Sequence, residues 1–282
     1  MYKIALDGGF TCPNRDGTLD TRGCIFCSGR GSGDFAFGGE DIENQIEYAM
    51  ALVSAKNKGG KYIAYFQNFT STYAPADKLR ALYEKAMAHP CVAALSIGTR
   101  PDCLPEETVE LLSELNKIKP VWVELGLQTI YEKTAEYIRR GYKLDVYDDA
   151  VKRLKAAGIE VITHMIIGLP GETKEDIIET ARYIGKIGSD GIKLQLLHVL
   201  KDTDLAADYE AGNFTLPTME EYIDILAECI MALPENVVIH RMTGDGAKSE
   251  LIAPLWSADK KRALNAINCT FEALDVTQGS KF

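Results

Sequence analysis

The sequence predicts an α/β protein, an incomplete (β/α)6-type TIM barrel with one additional C-terminal strand and helix. Three observations predict it. Short β-rich runs alternate with longer helical patterns along the chain. Several of the β runs are almost continuously apolar, as strands buried on both faces are. The length, 282 residues, suits one such barrel. Strands are expected at Lys3–Asp7, Lys61–Phe66, Val92–Gly98, Val121–Gly126, Glu160–Ile167, Gly191–His198 and Val237–Arg241. Helices are expected at Ile42–Ala55, Ala76–Ala88, Glu106–Lys117, Val146–Ala157, Lys174–Ile187, Met219–Ala232 and Ala258–Leu274. Gly158 stands where a helix should stop, and Thr173, after Gly171, where one should start. Six βα units and a final strand fall short of a closed eight-stranded barrel and imply parallel strands with right-handed crossovers.

Composition narrows the function classes. The net charge of −10 argues against a broad basic surface for nonspecific nucleic-acid binding, although it permits a local basic patch. A hydrophobic fraction of 46% supports a sizeable core. No window approaches a transmembrane span and no charged-then-apolar leader precedes the first strand, so a cytoplasmic location is expected. No low-complexity linker divides the chain, and residues 1–282 are expected to form a single domain. Seven cysteines make an odd number, a poor basis for a disulfide framework. Cys91, Cys103, Cys229 and Cys269 are scattered and read as small apolar side chains.

The other three cysteines form a constellation: Cys12-Pro-Asn-Arg-Asp-Gly-Thr-Leu-Asp-Thr-Arg-Gly-Cys24-Ile-Phe-Cys27. Chemistry in such barrels sits at the C-terminal ends of strands, and this loop follows the first one. An iron–sulfur cluster needs convergent thiolates; the CxxC turn supplies two and Cys12 a third. Pro13 and Gly17 let the loop curl, and Gly23 gives the backbone room beside Cys24. Three thiolates leave one iron open to chelate a small molecule. A zinc-stabilised binding module is an alternative, but zinc wants a fourth Cys or His and none occurs before His89. A CxxC redox pair leaves Cys12 unexplained. A structural role for all three thiols stays open.

The cysteine loop resembles that of the radical S-adenosylmethionine (SAM) superfamily, with eleven residues in place of the usual three between the first two cysteines. The run Leu6-Asp7-Gly8-Gly9-Phe10-Thr11-Cys12-Pro13-Asn14-Arg15-Asp16-Gly17 is similar to the YhcC/YtqA group, related to the catalytic subunit of elongator. The segments 31–36 and Ala253-Pro254-Leu255-Trp256-Ser257 resemble the YtqA-like (MnmL) branch, over nearly the whole chain. Members usually carry additional residues before the first strand, so an N-terminal extension is expected to be missing here. The resemblance implies a 4Fe–4S cluster on Cys12, Cys24 and Cys27, with SAM chelating the open iron. It implies Phe26 near the adenine, and Gln67 and Thr70 at the methionine end. Gln128 and Arg140 are implied at the ribose and carboxylate, and His164 and Gly168 near the adenosine. It further implies a reductant protein such as flavodoxin or ferredoxin. No second three-cysteine set exists, so no auxiliary cluster is expected, and Cys103, after Thr99-Arg100-Pro101-Asp102, is a possible hydrogen-atom donor.

Residues at or beyond the last strands, His198, Tyr209, Arg241, Thr243, Asp245 and Trp256, are placed where this fold meets substrate. Asp245, between Gly244 and Gly246, is suited to hold a cationic amine. The YtqA-like branch implies a tRNA substrate: the wobble uridine, whose C5 carboxymethylaminomethyl group becomes aminomethyl. A small metabolite or peptide is the alternative that the acidic balance favours. Arg139/Arg140/Lys143, Lys152/Arg153/Lys155 and Lys260/Lys261/Arg262 are the local basic groups, the last two also reading as ordinary helix faces.

Overall fold

The structure, a computed structural model, describes residues 1–29, 31, 36, 41–244, 246 and 248–282. Asp245 and residues 32–35 of the resembling segment lie outside the described residues. The elements in chain order are β1 (Tyr2–Leu6), α1 (Ile42–Val53), β2 (Tyr62–Phe66), α2 (Ala76–Ala88), β3 (Val92–Thr99), α3 (Glu106–Asn116), β4 (Val121–Gln128), α4 (Glu132–Tyr137), α5 (Leu144–Ala156) and β5 (Glu160–Ile167). There follow α6 (Lys174–Lys186), β6 (Gly191–Leu196), β7 (Val199–Leu200), α7 (Asp204–Glu210), α8 (Met219–Met231), β8 (Val238–Arg241), β9 (Leu251–Ala253) and α9 (Lys260–Ala273). The sheet runs β1-β2-β3-β4-β5-β6-β8 in chain order. Its described pairings are parallel. Sequential parallel strands with helical crossovers are the expected incomplete (β/α) barrel. Among the described residues, no helix is long and apolar enough to cross a membrane.

The expected strands and long helices are present within a few residues. β2 reads Tyr-Ile-Ala-Tyr-Phe and is buried at every position. Gly158 takes φ +74° after α5, a conformation that costs glycine little. Thr173 caps α6 in a reciprocal box with Asp176, and Thr218 does the same for α8 with Glu221. The sequence reading missed three features: α4, α7 and the small antiparallel β7–β9 ladder.

The chain clusters into two compact units. The first comprises 1–23, 30–126 and 145–161, the second 24–29, 127–144 and 162–282. The first holds β1–β3 and β4 as far as Gly126, and carries a buried polar cluster. Glu124, 1% exposed, accepts from Tyr65 (2.8 Å) and Ser96 (2.6 Å) and pairs with Lys3. The satisfied hydrogen bonds allow the carboxylate to stay in the interior. In the second unit Ile25, Ile138, Ile166, Leu169, Leu197, Val199, Leu205, Ala206 and Ala253 form a contiguous apolar core.

Candidate active site

In the first unit the cysteine loop begins with a tight turn. The Cys12 carbonyl accepts from the amides of Arg15 (2.8 Å) and Asp16 (3.1 Å), and Gly23 N–H returns to the Asn14 carbonyl (2.7 Å). Gly23 has φ +77°, and a Cβ there would stand 2.8 Å from Arg15 Nε. Both the angle and the close guanidinium select glycine beside Cys24. The Thr11 carbonyl accepts from Thr70 N–H at 3.2 Å, so the turn after β2 is tied to the residue preceding Cys12.

That turn holds the family-implied residues Gln67 and Thr70. Gln67 is half-buried, while Thr70 and Asn68 are 1% and 5% exposed. Thr70 Oγ1 and Asn68 Oδ1 are buried without a hydrogen-bond partner among the described residues. Buried polar atoms are nearly always paired, so two orphans in one turn beside the cysteine loop mark a place prepared for a polar ligand. They fit the amino and carboxylate groups of SAM. Asn68 stands at the strand end where chemistry is expected but is not among the residues the resemblance implies for SAM, since its burial has no local signature.

In the second unit Cys27 N–H donates to the Cys24 carbonyl at 3.0 Å, closing the CxxC turn. Cys24 Sγ lies 3.6 Å from the Arg139 carbonyl. Phe26 packs against the apolar core of this unit. None of Cys12, Cys24 and Cys27 is in a disulfide, and all three are of intermediate exposure. Among the described residues no group of three His, Cys, Asp or Glu side chains stands ready-made for a metal ion. The donor set nonetheless fits the expected group, since thiolates of intermediate exposure on loops are its usual ligands.

Gln128 ends β4 with φ +68°, an uncommon conformation for a side chain of its size. Arg140 explains how the turn is held. It is 2% exposed, and its guanidinium donates to the carbonyls of Leu127 (3.1 Å), Thr129 (2.6 Å) and Tyr142 (3.0 Å). The two implied SAM residues are thus brought together, with Arg140 gripping the peptides on both sides of Gln128. Thr129 Oγ1 also donates to Glu172 at 2.5 Å, and burial raises the Glu172 carboxyl above the usual glutamate range.

His164 lies on β5, in register with Lys193 of β6. Gly168 takes φ +93°, and a Cβ would stand 3.1 Å from Pro217 Cδ, so both conformation and packing require glycine. The His198 ring lies against Gly244 and Gly246, where a Cβ would stand 2.5 Å and 2.8 Å from ring atoms. Arg241 ends β8 half-buried. Trp256 donates from Nε1 to the Pro217 carbonyl (3.2 Å) with its ring 5.5 Å from that of Tyr222. Tyr209 packs on Phe214 at 5.6 Å. Both aromatics are thus engaged in local packing. Back in the first unit, Arg100 and Asp102 form a two-pronged ion pair (2.9 and 2.7 Å). Burial pushes the neighbouring Cys103 thiol up to about 12. A groove of about 450 Å³ between α3 and α5, lined by Glu106, Glu110, Glu114 and Arg153, lies on helix surfaces rather than at strand ends.

Comparison with known proteins bears on the family and the fold. A model of the radical SAM superfamily matches residues 21–184, and one of the radical SAM C-terminal domain matches residues 189–273. The chain is 43% identical over 283 residues to YtqA, an uncharacterized protein of Bacillus subtilis, covering 100% of this chain and 88% of that protein. It is 37% identical over 261 residues to YhcC of Escherichia coli, covering 92% and 84%. A more distant relative, 30% identical over 164 residues, is a tRNA uridine(34) acetyltransferase of Methanocaldococcus jannaschii, with 56% of this chain and 29% of that protein covered. Among solved structures, the archaeal Elp3 of Methanocaldococcus infernus with an N-terminal deletion shares the fold. Its TM-score is 0.73 at 17% identity, covering 98% of this chain and 64% of that chain. The superfamily match spans more than half of the chain, and it accounts for an incomplete barrel whose first loop carries three cysteines. The chain belongs to the radical SAM superfamily, enzymes that use a 4Fe–4S cluster and SAM and need a reductant.

Proposed function

We propose that this enzyme modifies the C5 side chain of the tRNA wobble uridine, converting carboxymethylaminomethyl to aminomethyl. The observation that carries the reading is the kinship with a protein named as a tRNA uridine(34) acetyltransferase. The resemblance of the cysteine loop and of Ala253–Ser257 to the YtqA-like branch supports it. When bound, the cluster and SAM would supply a 5′-deoxyadenosyl radical able to abstract a hydrogen atom from the carboxymethyl carbon beside the side-chain amine; with one electron returned to the cluster, the resulting iminium would be hydrolysed by water to the aminomethyl product, the carboxymethyl unit leaving as glyoxylate.

The residues of the chain bind and orient. Cys12, Cys24 and Cys27 hold the cluster. Gln67, Asn68 and Thr70 offer polar groups to the methionine end of SAM. Gln128, on its Arg140-held turn, serves the ribose side; Phe26, His164 and Gly168 flank the adenosine. His198 and Arg241 serve the substrate, and Asp245 takes its amine. The reductant is a flavodoxin or ferredoxin, the location is the cytoplasm, and residues 1–282 work as one catalytic domain. A partial barrel leaves a lateral opening through which one extruded nucleotide can enter.

The net charge of −10 favours a second reading, a small metabolite or peptide as substrate. One experiment separates them. Reconstituted protein is incubated with reductant, SAM and tRNA from a strain lacking the enzyme, and the nucleosides are measured by mass spectrometry. The tRNA reading expects aminomethyluridine to appear, and binding to weaken steeply with salt as phosphate contacts release counterions. Absence of both, while SAM is still cleaved, would refute the tRNA reading, and turnover of a small metabolite or peptide under the same conditions would support the second.

A further inference from the structure

We propose that α4 and α7 form a two-jawed holder for the Cys24–Cys27 turn, with Tyr137, Arg139, Asp204 and Asp208 as positioning residues for the cluster. The proposal rests on Cys24 and Cys27 being cluster ligands.

The central peptide of the turn is gripped from both sides. Ile25 N–H donates to the Ile138 carbonyl, just past α4, at 3.2 Å, and the Ile25 carbonyl accepts from Leu205 N–H, in the first turn of α7, at 3.0 Å. The side chains of Ile25, Ile138 and Leu205 share one apolar core. Next to Ile138, Arg139 takes φ +55°, and its carbonyl lies 3.6 Å from Cys24 Sγ, fixing the direction of the thiol. Non-glycine residues reach this conformation when the surroundings impose it.

Two side-chain latches tie the jaws together. Arg139 forms an ion pair with Asp204, their side chains 23% and 36% exposed. Tyr137 O–H donates to Asp208 at 2.7 Å. Apolar packing alone would let α4 and α7 slide, since it is non-directional. The latches fix their separation, and hence the Ile25 peptide between two cluster ligands.

The test uses the full chain, reconstituted anaerobically, with three readouts: iron loss to a chelator, the electron paramagnetic resonance spectrum of the reduced cluster, and unfolding of the protein before reconstitution. The Tyr137→Phe/Asp204→Asn double variant should lose iron about 10-fold faster, as two hydrogen-bonded contacts of ordinary strength together imply. Its spectrum should broaden, which a change in folding stability alone does not produce. Arg139→Lys, which keeps the ion pair, should stay within about twofold of wild type. A folded double variant with wild-type iron loss and spectrum overturns the holder. Should the double variant not fold, Tyr137→Phe alone decides: about threefold faster loss supports the holder, an unchanged rate overturns it. Cys24→Ala should fail to retain the cluster; full retention there overturns the ligand assignment, and the holder with it.

Discussion

Replacing Arg140 by methionine separates two roles the residue could have, ligand to SAM or keeper of the Gln128 turn. The guanidinium is 2% exposed and donates to three carbonyls, those of Leu127, Thr129 and Tyr142. Methionine keeps much of the stem's packing but removes every donor. Hydrogen bonds from a charged group are worth about 1.5–3 kcal/mol each, and each buried carbonyl left without its donor costs about 1–3 kcal/mol. The carbonyls of Leu127 and Thr129 belong to residues that are 0% exposed, so water does not readily replace the donor. The Gln128 conformation, φ +68°, stores about 1 kcal/mol of strain, and its release on losing the grip offsets a part of that cost. We therefore expect Arg140→Met to destabilise the protein by about 3–5 kcal/mol, a fall in Tm of roughly 6–20 °C. The assay is thermal unfolding followed by circular dichroism without SAM, alongside SAM binding by calorimetry. Arg140→Lys, a point charge that cannot fork, should fall between the two. If Arg140→Met unfolds within about 1 kcal/mol of wild type yet no longer binds SAM, the turn-keeping role is wrong and Arg140 meets the ligand directly.

Two further changes probe neighbouring groups. Thr70→Val removes the orphaned hydroxyl at nearly constant shape; the protein without SAM should be about 1 kcal/mol more stable while SAM binds roughly 5- to 10-fold more weakly. Unchanged SAM affinity by calorimetry would remove Thr70 from the binding set. Glu172 has its folded pKa raised by burial, so its neutral form is favoured by folding; the stability it contributes is present below the unfolded value near 4.5 and is lost as pH rises through the folded value. Glu172→Gln should flatten that decline in denaturant titrations, and a variant that keeps the wild-type pH slope would show that another group produces it.

The barrel was legible because its signal is local and repeated. β2 and β5 are apolar runs between turn residues, and α2 and α6 carry helical periodicity with clear boundaries at Ala76 and Thr173. Glu160–Ile167 and Ala76–Ala88 coincide with the expected bounds. The elements that escaped are the short ones. α4 and α7 have six and seven residues, less than two turns, and no periodicity develops over that length. β7 and β9 pair across about fifty residues through two bridges, an arrangement no local pattern encodes.

The same distinction runs through the site. The residues proposed as donors announce themselves by type and spacing, as Cys12, Cys24, Cys27 and Gln128 do. What positions those donors is long-range and ordinary in composition. Tyr137, Asp204 and Asp208 look like surface residues in sequence, yet they join two helices around Ile25, more than a hundred residues away. Arg140 shows the converse. Its residue type suggests a carboxylate ligand, but its planar fork is equally suited to backbone carbonyls, and burial between Leu127 and Thr129 gives it that task. A strained Gln128 and an Arg139 in the left-handed region have the same physical origin: each conformation is held by contacts that residue-by-residue preference does not contain. The chemistry of this site is therefore written in the identities of its donors, while its geometry is written in pairs of residues that only the fold brings together.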